Sequence, residues 1–303
     1  MKMKRPSLKS IKHKKAFTFV ELLIAMVILA IVSGAVIMLA YTYFNHFEQA
    51  NELSMARERG IMVATYLEKR ILNAGLGMPT MGNSFTDAFE GLWNHADFAG
   101  EEWEGPVFEP EAGAGYSDKL MVAYAIPSGV YTISSGDIGS AASSVAVSRP
   151  VDSGKIDTSS DGNTKGWVVF PSVPMPFRIT DYNNSAGSET VDLLAKEQTW
   201  YLAENDELHH VRFMAARVDE TDGRFKVKDL TLSGEQPVVE GILGCRFSLD
   251  EENSVLSVSI LARGDRRYSR PVSGSSLSGW GAVDEEWRHY YLAVVVKGWR
   301  VRN

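Results

Sequence analysis

Lys14-Lys15-Ala16-Phe17-Thr18-Phe19-Val20-Glu21-Leu22-Leu23-Ile24-Ala25-Met26 joins two very different parts of the sequence. On its amino-terminal side Lys2, Lys4, Arg5, Lys9, Lys12, Lys14 and Lys15 accumulate, with no acid among residues 1–16. On its other side residues 22–40 carry no charge, and Tyr41, Thr42, Tyr43 and Phe44 extend the run with aromatic material. At ~1.5 Å per helical residue this is just enough to cross a ~30 Å hydrocarbon layer. Tyr41, Tyr43 and Phe44 fall where an interfacial aromatic belt is expected. Basic residues precede the run, while Glu48 and Glu52 follow it. The positive-inside rule therefore predicts a single-pass membrane protein with a cytoplasmic amino terminus and an extracytoplasmic body.

Three plainer readings compete for the segment: a signal anchor, a cleaved signal peptide and a buried core helix. Ser33-Gly34-Ala35 offers the small residues of a signal-peptide site. A basic head before so long an uncharged run is uncommon inside a soluble domain. Glu21 argues against both secretory readings. An ionised carboxylate in an apolar span costs on the order of 3 kcal/mol when unpaired, and a simple anchor gains nothing from it.

The stretch from Lys14 to Met26 resembles the prepilin cleavage and methylation motif of type IV pilins and pseudopilins. That resemblance implies a short basic leader, removed by a membrane prepilin peptidase between Ala16 and Phe17, and N-methylation of the new terminal amine on Phe17. Alanine stands at Ala16 where the family usually has glycine. Glu21 matches the family's glutamate. In an assembled filament it would face the terminal amine of a neighbouring subunit, compensating a buried charge and setting axial register.

No proline interrupts residues 17–78, so nothing forces a helix to stop at the bilayer. Ala56, Gly60, Val63, Leu67, Ile71 and Ala74 recur at spacings of three and four, the stripe of an amphipathic helix. Glu52, Arg57, Glu58, Arg59, Glu68, Lys69 and Arg70 fill much of the remainder, and Gly75, Gly77 and Pro79 supply stop signals. The expected organisation is a leader at 1–16 and a membrane and filament-core helix at 17–44. An amphipathic continuation follows at 45–76, then an extracytoplasmic β-rich domain at 77–303.

Residues 71–118 contain no Lys or Arg, and acids there alternate with Phe85, Phe89, Trp93, Phe98, Trp103 and Phe108. So many aromatics argue for a folded loop region, packed on its own domain or against a neighbouring subunit. Beyond it, residues 120–126, 167–171, 199–203, 209–218, 224–230, 242–249, 255–262 and 287–301 are rich in β-branched and aromatic residues and read as strands. Asp181-Tyr182-Asn183-Asn184 and Asp222-Gly223 read as turns. Residues 134–166, rich in Ser, Gly, Thr and Asp, read as a long mobile loop with little core. The fold class is α+β: a pilin-like long amino-terminal helix packed on a mainly antiparallel sheet.

Within the pilins, the body resembles PilW-type minor pilins. Ala74-Gly75, Tyr116-Ser117-Asp118-Lys119-Leu120-Met121-Val122, Pro237-Val238-Val239-Glu240-Gly241-Ile242 and Arg300-Val301-Arg302-Asn303 carry the likeness. It implies a low-copy subunit that helps initiate or cap a filament. Its partners would be other minor and major pilins, prepilin peptidase and an inner-membrane assembly platform. A J-type minor pseudopilin of type II secretion, or a DNA-uptake pseudopilus subunit, shares much of this scheme. A signal-anchored adhesin or receptor is the alternative from another class.

The 45% apolar and 23% charged composition is that of a globular protein. Net charge is −7, but the basic leader masks a far more acidic body, which disfavours contact with nucleic acid. Cys245 is the only cysteine and sits in an apolar stretch, so it reads as a core residue. His209-His210 falls on an expected strand, where neighbours point to opposite faces and cannot readily share a metal. Asp157, Asp161 and Asn163 loosely resemble a calcium loop without its full ligand spacing. Arg263-Gly264-Asp265 reads as a strand-end turn. No cofactor motif or convincing catalytic pair is found, and the chain does not read as an enzyme.

Overall fold

A computed structural model describes residues 18–79, 82–89, 92, 107–113, 115–152, 154, 156, 158, 164–230 and 234–301. Helix α1 runs Phe19–Leu72 and α2 Gly82–Ala88. The strands are β1 (Phe108–Glu111), β2 (Lys119–Tyr131), β3 (Gly136–Ile138), β4 (Ser143–Ala146), β5 (Trp167–Phe170), β6 (Val173–Asn183), β7 (Thr190–Leu193) and β8 (Trp200–Leu202). They continue as β9 (Glu207–Asp219), β10 (Arg224–Asp229), β11 (Glu235–Glu240), β12 (Ile242–Asp250), β13 (Val255–Arg263), β14 (Ser276–Leu277), β15 (Gly281–Ala282) and β16 (Leu292–Arg300). The α+β class with an antiparallel sheet body is as expected.

The chain divides into two units, residues 1–51 and 52–303. In the first, every large apolar side chain of α1 from Phe19 to Phe47 is exposed. Thr42 returns its hydroxyl to the Met38 carbonyl at 2.9 Å, which keeps that polar group satisfied within the helix.

In the second unit, the stripe Ala56, Gly60, Val63, Leu67 and Ile71 is buried, as its spacing demands, and Ala64 joins it. Glu52 departs from the sequence reading, which assigned it to the polar side. It is only 6% exposed, and its Oε2 accepts the Arg266 amide at 3.0 Å. Seven residues on, Arg59 donates to the Arg263 carbonyl at 2.7 Å and pairs with the Asp265 carboxylate. Arg263-Gly264-Asp265 is thus a strand-end turn held by the helix. Gly264 leaves room there for the Glu52 carboxylate, which a Cβ would push aside. At the helix end Gly75 takes φ 71°, and Asn73 accepts the Ala125 amide at 3.0 Å. The tail of the helix therefore satisfies part of the β2 edge.

The larger sheet has nine strands, with β9 at its centre. One edge of β9 pairs with β2; the other is shared by β5 near His209 and His210 and by β10 further along. A second sheet of order β12-β13-β16 is buried on one face by the helix stripe. Phe85 and Phe89 are fully buried and pack on their own domain, with Phe89 edge-on to both Trp167 and Phe213. Trp93, Phe98 and Trp103 lie outside the described residues.

All eight expected strands are found, with the last shortened to β16 because Trp287–His289 forms a 3-10 turn. Residues 134–166 overturn the expectation of a loop with little core. They contain β3 and β4, and Ile138, Val145, Val147, Val151 and Ile156 are buried in a second apolar cluster. Sparse branched residues, each placed to insert, suffice there despite the turn-forming composition. Asp181–Asn183 belongs to β6 rather than to a turn, and the chain reverses only after Asn184. Asn184 exchanges two bonds with the Val151 backbone, at 3.0 and 3.1 Å. The Asp222-Gly223 turn is as expected.

Candidate functional site

Thr18 precedes the first residue of α1, and it and Glu21 close a reciprocal pair of contacts. The Glu21 amide donates to Thr18 Oγ1 at 3.3 Å. In return Glu21 Oε2 accepts the Thr18 amide at 2.8 Å and the Thr18 hydroxyl at 2.9 Å. This is a capping box, which satisfies amide donors that every helix start leaves open. The Thr-x-x-Glu spacing just before an apolar run is the sequence signal for it. The sequence reading passed over it in favour of a role between subunits.

The geometry changes the account of Glu21. Its carboxylate is not an orphan in the apolar run, since two donors of Thr18 meet one of its oxygens. A negative group in the first turn is also favoured by the helix dipole. The site can therefore hold a carboxylate at the edge of lipid without a partner from outside. A nearby cation would add to that stabilisation. Ala16 and Phe17, the expected cleavage and methylation residues, lie outside the described residues.

Beyond the cap, α1 is long and apolar enough to cross a membrane, and none of its apolar window is buried. A core helix of a soluble domain would be mostly buried. Phe19 and Leu39 are 77% and 72% exposed, values that water would penalise and lipid or an apolar partner would not.

Of the other residues considered from sequence, His209, His210 and Cys245 are core residues. His209 and His210 are adjacent on β9 and both buried, and His209 Nδ1 lies 2.9 Å from the Glu207 carbonyl oxygen. Among the described residues, no three His, Cys, Asp or Glu side chains gather as a metal site. Asp157, Asp161 and Asn163 lie outside them. Cys245 is fully buried, and burial pushes its thiol pKa far above the ordinary range, which makes it a poor nucleophile.

No curated protein and no solved structure matches the chain. Residues 11–37, which span the expected cleavage point, the capping box and most of the apolar run, match the family model described as the prokaryotic N-terminal methylation motif. The chain therefore carries an amino-terminal methylation motif of the type IV pilin kind.

Proposed function

We propose that the chain is a PilW-type minor pilin: a filament subunit anchored by residues 17–44, continued by the amphipathic helix of 45–76 and carrying a partner-selecting body at 77–303. The leader is 1–16. Cleavage falls between Ala16 and Phe17, and Phe17 is the methylated residue. The amino terminus lies in the cytoplasm and the body outside, and other pilins, prepilin peptidase and an inner-membrane assembly platform are the partners. The observation that carries this reading is the methylation motif lying directly on an exposed apolar helix.

Glu21 has two tasks in this scheme. Within the subunit it caps its own helix. Between subunits, its charge attracts the amine that cleavage creates on a neighbouring Phe17, and the geometry of that pair sets register.

Mass spectrometry of the mature protein from its native host tests the proposal. An amino terminus of N-methylphenylalanine at Phe17 is expected; an intact Met1, or a terminus near Val36, overturns it. A second experiment separates the two tasks of Glu21. Glu21→Ala is expected to insert into membranes normally but to enter filaments several-fold less, losing both its half of the capping box and the charge. Glu21→Gln keeps a capping-box acceptor and loses only the charge. It is expected to assemble as poorly as Glu21→Ala. Wild-type assembly of Glu21→Gln would reduce the residue to a helix cap.

A further inference from the structure

The three-stranded sheet ends on β16, and the bonding parity of that strand can be fixed. Its register with β13 runs unbroken from Leu292 opposite Arg263 to Arg300 opposite Val255. Just beyond each end, Gly264 donates its amide to the Tyr291 carbonyl at 2.9 Å, and Val301 donates to Ser254 at 2.8 Å. Bonded pairs alternate in an antiparallel ladder. Residues 293, 295, 297 and 299 therefore bond to β13, and the amides and carbonyls of Val294, Val296, Gly298 and Arg300 face the open edge. Among the described residues no group bonds to them. Four successive outward positions span ~20 Å at ~3.4 Å per residue.

The other edges of the two large sheets are blocked. β1 is four residues long and contains Pro110. β11 carries Pro237 between the exposed Glu235 and Glu240. β4 is covered where Ile133 donates to the Ala146 carbonyl at 3.1 Å. The far side of β12 is covered by Asp118, whose amide bonds to the Cys245 carbonyl at 2.7 Å and whose Oδ2 accepts the Phe247 amide at 3.0 Å. β16 has no proline, no bulge and no covering segment among the described residues. Soluble proteins block such edges, because an open one templates pairing with another chain.

We propose that the β16 edge is a docking site for an extended acidic strand of a partner polypeptide, added antiparallel or parallel to residues 294–300. The side chains identify the occupant. Val296 is 65% exposed, beside the half-buried Val294. Lys297 and Arg300 are exposed and β16 carries no acid, in a body that is otherwise strongly acidic. Lys297 lies 3.7 Å from Glu68, a half-exposed pair that an incoming carboxylate can share. A strand alternating acidic and branched apolar residues sets its acids beside Lys297 and its apolar side chains beside Val296. Backbone bonds supply the affinity and the charge supplies the choice of partner. The site does not depend on amino-terminal processing.

The test is residue-resolved amide hydrogen exchange on the full-length chain in detergent micelles, with an acetylated peptide alternating Glu and Val. Exchange at Val294, Val296, Gly298 and Arg300 is expected to slow about tenfold or more. The Lys and Val version of the peptide is expected to do far less. Val296→Pro removes one outward donor and no ladder bond, so protection should vanish while residues 293, 295, 297 and 299 stay protected. Reversing charge in Lys297→Glu leaves the backbone intact and should transfer the preference to the Lys and Val peptide. Equal protection by both peptides, protection that survives Val296→Pro, or none at ~1 mM peptide overturns the proposal. Protection that appears without peptide and grows with protein concentration makes a second copy the occupant and overturns the acidic assignment.

Discussion

Phe213→Ala is expected to destabilise the body by about 3–5 kcal/mol, the range for emptying an aromatic from a packed core. Phe213 is fully buried on the central strand β9, opposite Ala123 of β2. Its ring lies 5.3 Å from Phe89, edge to face, and Phe89 in turn lies 5.0 Å from Trp167 and 5.1 Å from Phe85. The truncation removes the transfer free energy of the ring and about 0.5–1.5 kcal/mol of aromatic pairing. The cavity cannot readily collapse, because the residue opposite is already alanine. Domains hold only about 5–15 kcal/mol in total, so this is a large share. Denaturant unfolding of the full-length protein in detergent, followed by tryptophan fluorescence, checks it: the midpoint should fall sharply with little change in slope. Phe213→Leu should lose much less. An unchanged midpoint for Phe213→Ala would mean that this aromatic cluster is not the centre of the core.

The structure also shows which parts of the chain were readable in advance. The stripe on α1 and eight of the strands follow from period and composition, and both survive because burial imposes them whatever the loops do. Strand β6 was missed because Pro174 and Pro176 argue against a strand. The prolines are tolerated where the ladder with β5 shifts register between Val168 and Phe170. The core of residues 134–166 was missed for the opposite reason. Its composition is that of a loop, and only tertiary contacts reveal that a few isolated Val and Ile side chains fill a pocket formed by distant strands.

At the candidate site the motif was legible and the capping box was legible but overlooked. Glu52 and Arg59 were not legible as partners of the Gly264 turn. On a helical wheel they resemble any other charged residues, and what buries them is a loop more than two hundred positions away. The open edge of β16 was also hidden, because alternation identifies a strand without saying whether it has one neighbour or two.

Gly60→Leu is expected to cost about 1–3 kcal/mol by overpacking, and it tests how the helix seats on the three-stranded sheet. Glycine inside a helix is normally a liability of about 1 kcal/mol relative to alanine, so helix propensity alone would make the substitution stabilising. Packing reverses the sign. A Cβ at position 60 would lie 2.5 Å from Val295 Cγ2 and 2.9 Å from Val295 Cβ, far inside contact distance. Val295 cannot swing clear, because it is branched at Cβ, stiff at χ1 and anchored in the β13 ladder opposite Ile260. The helix must therefore move off the sheet or the sheet must bend, and Leu extends the clash beyond the first carbon. Gly60→Ala balances a milder clash against the gain in propensity and should fall near neutral or mildly destabilising. Val295→Ala removes the 2.5 Å contact but not the 2.9 Å one, so the Gly60→Leu, Val295→Ala double variant should recover part of the loss. A double-mutant cycle on unfolding midpoints should then show favourable coupling of about 0.5–3 kcal/mol. Additive effects, or a stabilised Gly60→Leu, would place the helix further from β16 than the contact between Gly60 and Val295 requires.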